Sequence, residues 1–415
     1  MSSTEVSAES SGALVLTLER AVELALDNSI DLQRRLIDLR GAEYAAKHLW
    51  AELFPGVSAG LGMSYGSELF AGEGFQGSTK NLNYTANLGL SLQLNSSLSP
   101  AMRIAALAYQ TSLSDYENTR RLLAIEISGT FYSLIAEREK LSLLEGTRAL
   151  ADLQLEKNRA AFRNGLVKEL DYIQSQLSVE TARLNLRKAE AAYGDNLGKF
   201  LVLLGLEPAA DLTLEGELRI TWFEADSEAL IRQYLPSRPD IISRRQEIER
   251  LVLVERQRGS GRVPSLSLGA QWQGGSSTAG GGVTGDFSDR VSGSLTVNIP
   301  LDGWIPGTKT SQSIRTANAD IEKARLSLRA TENQAMHSIR SLVTNLRNSW
   351  GSIELAELSM RLAERSYELA EEGFRNGAVE FLVLEDNRNN MTEARQRLLD
   401  DRLAYKKMML ELSSA

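Results

Sequence analysis

The chain has no cysteine, which excludes disulfides, thiol nucleophiles, thiolate metal sites and an acylated N-terminal cysteine. It fits an oxidising compartment, where a stray thiol is a liability. Histidine is scarce: His48 and His337 stand alone in helical sequence with no ligand pattern nearby, so both read as packed or solvated. No run approaches the roughly 18–20 apolar residues of a membrane-spanning helix. Basic residues are outnumbered, 46 against 54 acidic, and the net charge is -8. A nucleic-acid partner needs a basic face, so none is expected. The glycine runs lack a P-loop lysine or a strand–GxGxxG–helix setting, and no nucleophile–base pair is suggested. Neither catalysis nor a cofactor nor a metal is expected.

Proline is also sparse. The eight prolines fall at 55, 100, 208, 236, 239, 264, 300 and 306, so 101–207 and 307–415 contain none. Both spans are rich in Ala, Leu, Glu, Arg and Gln, which predicts long helical hairpins. In the second span Ile314, Ile321, Leu328, Ala335 and Leu342 recur every seven residues, with Ala317, Ala324 and Ser338 three behind. That is a narrow coiled-coil seam. A helix of ~60 residues is ~90 Å long at 1.5 Å per residue, so it needs neighbours rather than a globular core.

The chain also repeats itself. Phe162-Arg163-Asn164-Gly165 returns as Phe374-Arg375-Asn376-Gly377, an offset of 374 − 162 = 212. Ala182-Arg183 and Ala394-Arg395 keep that offset, as do Ala192-Tyr193 and Ala404-Tyr405, while LFPGVSAGLG around Pro55 parallels RVPSLSLGA around Pro264. The reading is a tandem duplication. The first repeat spans 1–209, with strands about 57–66 and 81–94 and a helical hairpin over 101–204. The second spans 210–415, with strands about 265–273 and 290–301 and a hairpin over 307–412. In each hairpin the FRNG glycine, Gly165 or Gly377, supplies the left-handed residue that ends a helix.

The strands carry the sharper signal. Val57, Ala59, Leu61, Met63 and Tyr65 alternate with Ser and Gly, and Leu82, Tyr84, Ala86, Leu88, Leu90, Leu92 and Leu94 alternate with Asn, Thr, Gly, Ser and Gln. Leu266, Leu268, Ala270 and Trp272, then Val291, Leu295, Val297, Ile299 and Leu301, do the same in the second half. The linkers 67–79 and 274–289 are polar and glycine-rich, as exposed hairpin loops are. Two hairpins packed as a small sandwich would satisfy this pattern. So would membrane strands, because the polar faces carry almost no charge and ~9–11 tilted residues cross a bilayer. Four strands cannot close a barrel, which needs about eight, and an open edge cannot face lipid. Membrane strands therefore require a homo-oligomer sharing one barrel.

In its order of elements, from LTLERAVELALDNSIDL (16–32) to the C-terminus, the chain resembles the TolC-like outer membrane efflux proteins. Asn28-Ser29-Ile30-Asp31-Leu32 resembles the family's Asn-Pro-Glu-Leu element and Arg238-Pro239-Asp240-Ile241 its Arg-Pro-Asp-Leu. IPLDGW (299–304) resembles its strand-exit turn, with LQLNSS (92–97) a weaker counterpart. The resemblance implies a mixed α/β membrane protein. Three chains would share a 12-stranded β-barrel continued by an α-barrel of long antiparallel helical hairpins, with equatorial elements from about 203–236 and the termini. It implies a passive exit duct of a tripartite efflux or type I secretion system. The partners would be a periplasmic adaptor, an inner-membrane pump and outer-membrane lipid, and the location the outer membrane, reaching into the periplasm. The opening MSSTEVSAESSGA has no apolar signal-peptide core, so the chain is expected to be a mature form whose leader has been removed.

By the same resemblance FRNG marks the periplasmic tips where the adaptor docks: Phe162, Arg163, Asn164, Gly165, Phe374, Arg375, Asn376 and Gly377. Acidic residues shortly after each tip glycine narrow the family's closed entrance. Asp171 and Asp386 fall at such positions, Val383 replaces an aspartate of some members, and Glu380 and Glu385 are the other carboxylates at hand. The family often has a basic residue before the aromatic, but Ala161 and Gly373 stand there. Two rival readings are a soluble coiled-coil scaffold with β-sandwich heads and a periplasmic adaptor, though an adaptor normally has one such hairpin.

Overall fold

The structure is a computed structural model and describes residues 14–67, 80–207, 212–279 and 287–414. In chain order the elements are β1 (Leu14–Leu16), α1 (Leu18–Asn28), α2 (Ile30–Lys47), β2 (Gly56–Ser67), β3 (Lys80–Leu94), α3 (Leu98–Arg163) and α4 (Glu169–Leu203). They continue with β4 (Leu212–Leu214), α5 (Ser227–Tyr234), α6 (Pro239–Gly259), β5 (Ser265–Ala279), β6 (Phe287–Asn298), α7 (Lys309–Arg375) and α8 (Phe381–Ser414). The chain divides into two compact units: one of 1–36, 115–241 and 331–415, the other of 37–114 and 242–330. No described helix is long and apolar enough to cross a membrane.

The first unit holds the apolar core. Strands β1 and β4 pair in parallel, Leu14 to Leu16 against Leu212 to Leu214. Their buried Leu16 and Leu214 pack with Ile127, Phe131, Leu134 and Ile135 of α3 and with Phe200 and Leu201 of α4. Each such large side chain contributes about 1.5–3 kcal/mol by leaving water. Arg138 fixes the connection after β4, its guanidinium donating to the Leu214 and Gly216 carbonyls. A second cluster centres on Tyr405 of α8, buried among Leu346, Ile353, Ala356 and Leu398. Its hydroxyl donates to the Thr221 carbonyl at 3.1 Å and accepts from the Phe223 N–H at 3.2 Å, which straps 221–223 onto α8.

The second unit contains one antiparallel sheet in the order β2-β3-β5-β6. Ala59 faces Leu88, Leu88 faces Trp272, and Leu268 faces Leu295, so the apolar rows of all four strands share a face. That face is open: Leu61 is 92% exposed and Val291 77%. The sandwich reading fails here, because the two hairpins join edge to edge in a single sheet. β5 runs on through Ala279 into the expected linker, since β3 is long enough to offer Asn81 to Ala86 as ladder partners. β6 begins at Phe287 and stops at Asn298 rather than reaching Leu301, because Pro300 has no N–H for a ladder. The remaining linker residues, 68–79 and 280–286, lie outside the described residues.

The α7 seam starts as the heptads predict, with Ile314, Ala317, Ile321 and Ala335 buried. Beyond Ala335 it drifts: Ile339, Val343, Leu346 and Ile353 are buried, Leu342 is half-buried and Ser338 exposed. A straight helix at 3.6 residues per turn slips ~20° per heptad, so a strict seven-residue stripe cannot hold one face. His48 packs on Tyr44 with ring centroids 3.9 Å apart, and its Nδ1 lies 2.8 Å from the Tyr44 carbonyl.

Candidate functional site

Both FRNG turns have the same backbone. Helix α3 ends with the Leu166 N–H on the Ala161 carbonyl at 2.9 Å and the Gly165 N–H on Phe162 at 2.9 Å. Helix α7 ends with Ala378 on Gly373 at 2.8 Å and Gly377 on Phe374 at 3.0 Å. This paired closure satisfies the last helical carbonyls and places its glycine in the left-handed region; Gly165 and Gly377 each have φ of 70°. The side chains differ. Phe162 is exposed and stacks flat on Tyr172, centroids 5.4 Å apart and planes 2° apart. Phe374 turns inward against Phe381, which is 1% exposed, in a cluster with Ala370 and Leu384. Arg163, Asn164, Arg375 and Asn376 are exposed, and neither arginine forms an ion pair among the described residues.

The two tips sit side by side around a cleft of about 930 Å³ lined by Gly165, Lys168, Asp171, Phe374, Gly377 and Glu380, among others. Lys168 Nζ lies 4.0 Å from Glu380 Oε1 across it, and Lys157 Nζ 3.7 Å from Glu371. Lys168 and Glu380 occupy matching places in the two repeats, 380 − 168 = 212.

The four carboxylates singled out from the sequence meet different fates. Asp171 lies half-buried in the first turn of α4, and Asp386 is exposed on α8. Glu380 is exposed and faces Lys168. Glu385 instead points between helices. It accepts from Ser178 Oγ of α4 at 2.8 Å and from Arg388 Nη2 at 2.6 Å, and Arg388 donates to the same Ser178 at 2.6 Å. The Arg388 side chain is 7% exposed, and its Nε and Nη1 have no partner among the described residues. Burial pushes the Glu385 carboxyl above its ordinary range, outweighing the pull of Arg388. So Glu385 serves as a strut between α4 and α8 in this chain, leaving Asp171, Glu380 and Asp386 as the accessible acids. The sequence reading missed Ser178, Lys168 and Arg388. Glu385 and Arg388 stand at i,i+3 on a helix, a detectable spacing, but nothing in that spacing indicates burial. No group of three metal-binding side chains occurs among the described residues.

The comparisons with known proteins agree with one another. The family model for outer membrane efflux proteins matches twice, over residues 21–206 and 230–415. The toluene efflux pump outer membrane protein TtgC of Pseudomonas putida is 26% identical, covering 93% of this chain and 80% of its own. Among solved structures, the Campylobacter jejuni CmeC outer membrane channel aligns with a TM-score of 0.78 at 18% identity, covering 96% of this chain and 84% of that one. A membrane protein from Pseudomonas aeruginosa gives 0.78 at 19%, covering 96% and 89%. Matched once by each of its two repeats, the chain belongs to the outer membrane efflux protein family.

Proposed function

We propose that three copies of this outer-membrane duct share one 12-stranded barrel in lipid and one tunnel of helical hairpins. A periplasmic adaptor docks on the FRNG tips, and an inner-membrane pump supplies cargo and energy. The observation that carries the reading is the four-stranded sheet, apolar and exposed on one face, polar on the other, with unpaired strands at both edges. Hydrocarbon cannot satisfy open ladder edges, and closure needs further copies. Transport through the duct involves no chemical step. Cargo is selected upstream, so the cargo named for the relatives, toluene for one and antibiotics for another, marks the class expected here.

Asp171, Glu380 and Asp386 then supply acids to the narrow tip, where a ring of carboxylates favours cations and lets a multivalent cation lodge. Reconstitution in planar lipid membranes tests both levels. The wild-type protein is expected to conduct and to be blocked from the tip side by a multivalent cation, with block weakened in Asp386→Ala. Absence of conductance under all conditions sinks the duct; unchanged block in the variant removes Asp386 from the constriction.

A further inference from the structure

The ladders of the two β-hairpins correspond pair for pair. Moving β2 forward by 209 positions places Ser58 on Ser267 and Gly60 on Gly269, and moving β3 forward by 207 places Leu88 on Leu295 and Leu90 on Val297. The observed ladders obey both shifts together: Ala59 opposite Leu88 becomes Leu268 opposite Leu295. The junction between hairpins, β3 against β5, is therefore the second strand of one repeat against the first strand of the other. The open edges, β6 and β2, are again a second strand and a first strand. Any copy that closes the sheet rebuilds the same kind of junction.

We propose that β6 of one chain pairs antiparallel with β2 of the next copy in one fixed register, Leu295 opposite Met63 and Val297 opposite Leu61. The register follows from arithmetic on the observed junction. Leu88 faces Trp272, and 88 + 207 = 295 while 272 − 209 = 63. Leu90 faces Ala270, which gives 297 and 61 in the same way. Three physical conditions agree. A slip of one residue would turn the apolar row of one strand into the polar lumen. A slip of two would give this junction a stagger unlike β3–β5, yet alternate junctions of a closed barrel share one tilt and one shear. The polar row of β2 is Gly56, Ser58, Gly60, Gly62, Ser64 and Gly66; Asn87 and Thr85 of β3 lie over Gly60 and Gly62, and β2 itself sets nothing larger than serine opposite Asn298, Thr296 or Ser294 of the incoming strand.

The proposal rests on the shared-barrel reading, and the experiment separates the two. The cysteine-free chain gives no background for disulfide trapping. Full-length Leu295→Cys/Met63→Cys is expected to oxidise in membranes to a covalent trimer on non-reducing gels. Leu295→Cys/Leu61→Cys and Leu295→Cys/Tyr65→Cys, displaced by two residues, are expected to cross-link at least about tenfold less, since diagonal neighbours lie roughly 7–8 Å apart and bridge poorly. Leu88→Cys/Trp272→Cys, the equivalent pair inside one chain, must form its disulfide if the sheet is folded and the oxidant reaches it. With that control positive, a dominant cross-link at a displaced pair, or equal yields at all three spacings, overturns the register and leaves the shared barrel standing. No intermolecular cross-link from any pair, in a protein that sediments as a monomer, overturns both.

Discussion

Gly165 and Gly377 hold left-handed backbone where a Cβ would meet nothing within 4 Å, so substituting them has a conformational cost and no steric one. Gly165→Ala or Gly377→Ala is expected to weaken its tip by about 1 kcal/mol, and Asn at the same place by less. Hydrogen exchange at the Leu166 and Ala378 amides, which close the two turns, measures the loss site by site. Unchanged protection in both variants would disprove the left-handed assignment. One acid reports on burial. Burial raises the Glu137 carboxyl above its ordinary 4.5 despite a hydrogen bond from Asn196 and the nearby Lys140 and Lys407. A carboxyl raised on folding contributes stability that is complete below pH about 4.5 and disappears as the pH climbs through the raised value. Glu137→Gln keeps an acceptor for Asn196 without the charge. It is expected to raise the melting temperature at pH 7.5 more than at pH 4, and equal shifts at the two pH values would refute the assignment. At this scale the sequence was only partly legible. The spacing from each tip glycine drew attention to acids, but whether a carboxylate faces water, as Asp386 does, or a buried arginine, as Glu385 does, depends on which helix packs against it.

Elements were more legible, because each has its own period. Strict alternation located all four long strands, and the proline-free spans located both hairpins with FRNG at their turns. Strand ends were harder to read, since β5 continues wherever β3 offers a partner, whatever its own glycine and serine content suggests. The seam of α7 was misread beyond Ala335 for a geometric reason, the slow rotation of a straight helix relative to a heptad pattern. The strand faces make a direct test one residue apart. Leu88→Arg puts a charge on the exposed apolar row, at a cost of about 2–4 kcal/mol near the bilayer midplane, whereas Asn87→Arg points into the watery side. The first variant is expected to lose its stable outer-membrane fraction, measured by heat-modifiable gel mobility, and the second to keep it. Equal loss in both would contradict the orientation of the sheet.

The whole molecule was legible as a duplication, and the family model matches twice, over 21–206 and 230–415. The proposed assembly is written only in what one chain leaves unfinished, an exposed apolar face and two bare strand edges. The halves are also unequal where they meet, with Lys168 and Glu380 at matching positions and largely exposed. Such a pair adds at most about 1 kcal/mol to stability, so on the proposed duct its effect is tested through conductance rather than melting. Lys168→Glu sets like charges against each other and is expected to raise single-channel conductance, while Lys168→Glu/Glu380→Lys restores the wild-type level. A swap that fails to restore it would separate the pair from opening.

The same inequality governs counting. On the proposed trimer, a docking protein that read only the FRNG backbone would find six equivalent places, and one that also sensed the charge three residues past each glycine would find two sorts of place and bind in threes.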